Sequence, residues 1–123
     1  MIARRKKSLS LIELYKEFLR HTSMCLPADR QLTFMQIEIL ATFWNFTGEL
    51  AERDRFGPSA RSIVKDMFKF KNYSNLNNQL IHLKNKKWIY ENSNGSYSIV
   101  PLYDLPRDIK NLVLEYTFDV IDR

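Results

Sequence analysis

The feature that most constrains this chain is a change of apolar period between Lys87 and Trp88. Upstream of it, Leu76, Leu80 and Leu83 recur at spacings of four and three, which predicts a helix over about Ser74 to Lys87 with one buried face. Downstream, Trp88-Ile89-Tyr90 and Tyr97-Ser98-Ile99-Val100 are rich in β-formers. They flank Ser93-Asn94-Gly95-Ser96, whose Asn-Gly pair is a strong hairpin signal. Pro101 stops the second strand.

The rest of the chain reads as helices. Ser10 with Glu13 makes a capping box for a first helix from about Leu11 to Arg20, with Leu11, Leu14, Tyr15, Phe18 and Leu19 on one face. A second capping box, Thr33 with Gln36, opens a helix whose apolar stripe is Ile37, Leu40, Ala41, Phe43 and Trp44, with Gly48 placed to end it as a left-handed cap. Glu49 to Gly57 is charged and irregular and reads as an exposed loop. Pro58 suits a first helical turn, so Ser59 to about Phe68 forms a short helix with Ile63, Val64 and Met67 inward. Pro106 starts a last helix whose stripe is Ile109, Leu112, Val113, Tyr116, Val120 and Ile121. The expected order is helix, helix, short helix, helix, hairpin, helix.

Composition enters through charge. The net charge of +5 is unevenly spread. Residues 1–55 carry nine Lys/Arg against seven Asp/Glu, residues 56–90 seven against one, and residues 91–123 three against six. The middle third alone is therefore +6, the electrostatic footprint expected for a polyanion. The chain holds one cysteine, Cys25, so no intramolecular disulfide forms, which fits a reducing cytoplasm. One Cys with His21 and His82 cannot furnish an ordinary four-ligand zinc site. With only Gly48, Gly57 and Gly95, no phosphate-cradling glycine loop exists, and no nucleophile elbow is present. The expectation is a non-enzyme without metal or cofactor. No signal peptide or membrane-spanning run is read, so a cytoplasmic location is expected.

Two short helices, a third helix and a hairpin is the order of a winged helix-turn-helix. The run from Ser74-Asn75-Leu76-Asn77-Asn78-Gln79-Leu80 through Lys84-Asn85-Lys86-Lys87-Trp88-Ile89 resembles the recognition helix and wing entry of MarR-type transcriptional regulators. Leu32-Thr33 with Gln36-Ile37 and Leu40 is similar to that family's first core helix, and Ile63-Val64 with Met67 to its second. Where the family usually places glycine after the recognition helix, this chain has Lys87. The resemblance covers about Leu32 to Val100. It implies a mainly α fold with a small β-hairpin wing (α+β), a winged helix-turn-helix flanked by N- and C-terminal helices. It also implies double-stranded DNA as partner and a homodimer through the terminal helices. The expected parts are 1–31 as basic arm and N-terminal helix, 32–103 as winged core, and 104–123 as a C-terminal dimerisation helix.

With Leu76, Leu80 and Leu83 inward, the helical step turns Asn75, Asn78, His82 and Asn85 outward. Asn can pair bidentately with the N6/N7 edge of adenine in the major groove. Ser74, Asn75, Asn77, Asn78 and His82 are accordingly the candidate readers, with Asn94 at the hairpin tip. Arg61, Lys65, Lys69 and Lys71, with Lys84, Lys86 and Lys87 at the far end of the helix, suit phosphates, whose neutralisation supplies sequence-independent affinity. Arg4-Arg5-Lys6-Lys7 forms a basic arm. Two functions stay open at this point. One is a sequence-specific DNA-binding transcriptional regulator with or without an effector ligand; the other is a winged-helix protein–protein interaction module or phage structural or accessory subunit.

Overall fold

In a computed structural model, which describes residues 1–121 leaving aside the Arg53 side chain, the chain forms five α-helices and one two-stranded antiparallel sheet. The helices are α1 (Leu11–Met24), α2 (Phe34–Asn45), α3 (Glu49–Asp54), α4 (Pro58–Met67) and α5 (Tyr73–Asn85). The strands are β1 (Ile89–Glu91) and β2 (Tyr97–Ile99). The mainly helical α+β class expected from the sequence is what the chain adopts.

α2 is the centre. Thr33 and Gln36 cap it reciprocally, as their spacing predicts. Ile39, Leu40, Ala41, Phe43 and Trp44 are all buried, so the helix is surrounded rather than half covered. α1 lies against it, with the Tyr15 ring stacked on Trp44 at 4.1 Å and Leu19 fully buried. The N-cap of α1 is only half a capping box. The Glu13 N–H donates to Ser10 Oγ (3.3 Å), but the Glu13 carboxylate accepts from the Ser10 hydroxyl (2.7 Å). α1 also runs four residues past the expected Arg20, to Met24. Buried Ser23 accepts from the Leu32 N–H at 2.7 Å and ties down the connection to α2.

Three expectations are corrected here. Gly48 has φ +66° but precedes α3; α2 has already ended at Asn45. The segment from Glu49, expected as a loop, begins with the helix α3 because Leu50 packs on the core. Arg55, just after it, donates to the Phe43, Trp44 and Phe46 carbonyls at 3.1, 2.7 and 2.6 Å and so closes the open end of α2. In α4, Val64 points inward as expected, but Ile63 and Met67 are exposed. The buried pair is Ala60 and Val64, four residues apart, because the small Ala60 lets α4 approach its neighbours closely.

The hairpin has the register Ile89↔Ile99, Tyr90↔Ser98, Glu91↔Tyr97, with Gly95 at φ +84° in its turn. Ile89 and Ile99 enter the core beside Trp88, whose ring meets that of Tyr103 at 4.2 Å in a tilted pair.

The largest correction is at the C-terminus. No helix forms between Pro106 and Ile121; positions 122 and 123 of the expected helix lie outside the described residues. The segment carries β-branched Ile109, Val113, Thr117, Val120 and Ile121 and aromatic Tyr116 and Phe118, all weak helix formers. Of its apolar side chains, Phe118, Val120 and Ile121 stand exposed. Its hydrogen bonds to the core lie at its start. The Trp44 indole donates to the Leu105 carbonyl (3.1 Å), and Arg107 lies over the Trp44 ring and donates to the Trp44 carbonyl (3.2 Å). Further on, Tyr116 meets His21 of α1 at 5.2 Å. The core therefore joins α1 to everything through Tyr103, while most of the chain beyond it lies on the surface.

Among the described residues, no helix is long and apolar enough to cross a membrane.

Candidate nucleic-acid interface

α5 is fixed from three sides, and that fixes what it shows to solvent. Leu76, Leu80 and Leu83 seat it in the core. Along one flank, Gln36 donates to Gln79 (3.3 Å), and the Lys86 ammonium donates to Gln36 Oε1 (2.7 Å). At its end, Arg30 Nε donates to the Lys86 carbonyl (3.2 Å) while Arg30 Nη2 donates to the Tyr103 hydroxyl (2.9 Å). The Tyr103 carbonyl in turn accepts from Tyr15 OH at 2.7 Å, so α1 braces the C-terminal end of α5 through one chain of bonds. Burial, reinforced by nearby Asp104, pushes the Tyr15 hydroxyl far above its ordinary range and keeps it a neutral donor.

The remaining face is polar and open. Ser74, Asn75, Asn78, Ile81, His82 and Asn85 are all exposed along it. Asn72 caps the helix by accepting from the Ser74 N–H (3.1 Å), and α5 starts one residue earlier than expected, at Tyr73.

The other candidates divide into free and engaged groups. Lys69 and Lys71 are exposed on the α4–α5 turn. Lys65 sits over the Tyr73 ring at 5.3 Å and lies 3.9 Å from Asp66. Lys86 is engaged with Gln36, as described, and is half-buried. Arg61 is half-buried and donates to the Phe56 carbonyl (2.6 Å) and to Asn77 Oδ1 (3.3 Å), and its guanidinium lies over the Tyr97 ring at 5.6 Å. Asn77 therefore faces α4 and the hairpin instead of the open face. Asn94 folds back on its own turn, accepting from the Ser96 N–H (3.1 Å) and hydroxyl (2.6 Å).

These contacts bring Arg61, Tyr73, Asn77 and the Asn94-Gly95-Ser96 tip to one open cleft of about 610 Å³, also bordered by Asp54. The cleft separates the hairpin from the N-terminal ends of α4 and α5. Tyr73 was not among the sequence candidates; its only signal was its place directly before Ser74. Exposed Phe34 and Met35 at the start of α2, beside Gln79, were also missed because they precede the apolar stripe read for that helix.

Among the described residues, no three His, Cys, Asp or Glu side chains gather closely enough to hold a metal ion. Comparison with known proteins finds no matching family model, no similar curated protein and no similar solved structure.

Proposed function

We propose that this chain is a winged helix-turn-helix protein that binds double-stranded DNA sequence-specifically and regulates transcription. α4, the turn 68–72 and α5 form the helix-turn-helix, and β1–β2 is the wing. The observation that carries this reading is the open face of α5, where Ser74, Asn75, Asn78 and His82 are exposed on a rigidly seated helix. Short amide side chains near a helix N-terminus suit base edges in the major groove. Exposed Lys69 and Lys71 beside it suit phosphates. Arg61 and Lys86, held by other groups of the fold, support the interface more than they touch DNA.

A homodimer on a palindromic site accompanies this reading. The α1 stripe covers its own core, so the contact falls to the exposed apolar segment around Val113, Phe118, Val120 and Ile121. A second reading, a protein-docking module, draws on exposed Phe34, Met35 and Met67, of which Met35 lies beside Gln79 of α5.

Binding of purified protein to random and selected duplexes, followed by fluorescence anisotropy across a salt series, tests the proposal. The expected log–log slope is about −0.9 per phosphate contact. Asn78→Ala should abolish preference for selected sites while leaving non-specific binding intact. Absent or salt-independent binding at about 50 mM salt rejects the DNA reading and leaves the docking module.

A further inference from the structure

Among the described residues, two that are not glycine have positive φ, and both are lysines: Lys69 at 55° and Lys87 at 67°. They occupy equivalent places. Each follows a helix, and the same pair of bonds closes each helix end. After α4, the Phe70 N–H donates to the Lys65 carbonyl (3.0 Å) and the Lys69 N–H to the Asp66 carbonyl (3.2 Å). After α5, the Trp88 N–H donates to the Leu83 carbonyl (3.0 Å) and the Lys87 N–H to the Lys84 carbonyl (2.9 Å). This left-handed cap swings the next aromatic inward, Phe70 onto Phe68 and Trp88 into the core. Glycine takes that conformation without penalty, whereas a Cβ there is strained. Both lysine side chains are nevertheless exposed, and among the described residues neither forms an ion pair. Neighbouring cations are engaged by the fold: Lys86 by Gln36, Lys84 by Glu91 at 3.5 Å, and Lys65 by Tyr73 and Asp66.

We infer that Lys69 and Lys87, held in strained caps on either side of α5, form a two-point clamp on DNA phosphates. This rests on the DNA-binding reading and singles out, from the basic residues of the middle third, the two whose backbone is held in the left-handed region. Thirteen residues of α5 rise about 20 Å, and the major groove is about 12 Å wide. A helix crossing the groove presents its open face, from Asn75 near the N-terminus to His82, to base edges. The turn that leads into α5, with Lys69, and the residue that follows its C-cap, Lys87, then lie over the strands that border the groove. Those two positions need a left-handed backbone for the fold and a cation for the phosphates, and lysine meets the second requirement at the expense of the first.

Glycine substitution separates the two requirements, because it should move stability and binding in opposite directions. Lys69→Gly and Lys87→Gly should each raise Tm by a few degrees, since the cap strain is relieved. Each should also reduce the magnitude of the duplex-binding salt slope by about 0.9, and the double variant by about 1.8. The affinity deficit of each single variant at 50 mM salt should shrink roughly three-fold by 200 mM. Lys87→Gln should lose the slope without the Tm gain, and Lys87→Arg should keep the slope. Glycine variants that bind with the wild-type slope overturn the clamp, and so do glycine variants without a Tm gain. If the wild-type chain itself shows no salt-dependent duplex binding, the DNA reading has failed first, and that outcome is distinct.

Discussion

Two segments of this chain carry the same kind of apolar stripe and have opposite fates. In the first, Leu11, Leu14, Tyr15, Phe18 and Leu19, the segment becomes α1 and sets Leu11, Tyr15, Phe18 and Leu19, together with Ile12, on the core around α2. Ile109, Leu112, Val113, Tyr116, Val120 and Ile121 have comparable helical spacing, yet the segment stays without regular secondary structure and most of its large side chains are exposed. Three differences account for this. α1 has Ser10 to satisfy its first free N–H groups, whereas Leu105 precedes Pro106. Seven of its fourteen residues are the good helix formers Leu, Glu, Lys and Arg, whereas seven of the fifteen residues from 107 to 121 are β-branched or aromatic. Above all, α1 has the wide surface of α2 to cover, and a helix of this length is marginal in water without such a partner. A stripe is a request for a partner, and only one of these two finds it within the chain.

The comparison can be broken most forcefully at Trp44, on which both segments rest. Trp44→Ala removes the ring that stacks on Tyr15 and underlies Arg107, and should cost about 3–5 kcal/mol in chemical denaturation. Phe118→Ala, at the exposed end of the other segment, should stay within about 0.5 kcal/mol. A loss above 1 kcal/mol at Phe118 would show that the segment is packed after all.

An intermediate effect is expected at Tyr15. Tyr15→Phe leaves the buried Tyr103 carbonyl without its donor and should cost about 1–3 kcal/mol. Tyr15 is raised in the folded state above the value of about 10 that it has when unfolded. Its contribution is therefore complete below pH 10 and is lost as pH rises beyond that, because the unfolded chain releases the proton first. Urea midpoints measured from pH 8 to 11 should fall above pH 10 in the wild type and less steeply in Tyr15→Phe. Equal slopes would remove Tyr15 from the account.

The smallest effect sharpens the capping difference. Ser10→Ala should cost about 1 kcal/mol by thermal melting, since one N–H of the first turn of α1 loses its acceptor. No measurable change would mean that packing on α2 alone decides where α1 begins.

The sequence by itself determined the parts whose cause is local. The Thr33/Gln36 box, Pro58 at the start of α4, the Leu76–Leu80–Leu83 face of α5 and the Asn94-Gly95 turn depend on neighbours within a few residues, and each was legible for that reason. The exposure of Asn75, Asn78 and His82 followed from the same periodicity. Tertiary structure decided whatever needed a distant partner. It turned α4 so that Ala60 rather than Met67 faces inward, and it made a helix of 49–54 around Leu50. It drew Lys86 onto Gln36 and Arg61 onto Asn77, and it put Lys69 and Lys87 into left-handed caps so that Phe70 and Trp88 could reach the core. It also withheld a helix from the C-terminal segment. Local propensities are worth tenths of a kcal/mol per residue, whereas burying or stranding a large apolar side chain is worth about 1.5–3, so long-range packing prevails wherever the two compete.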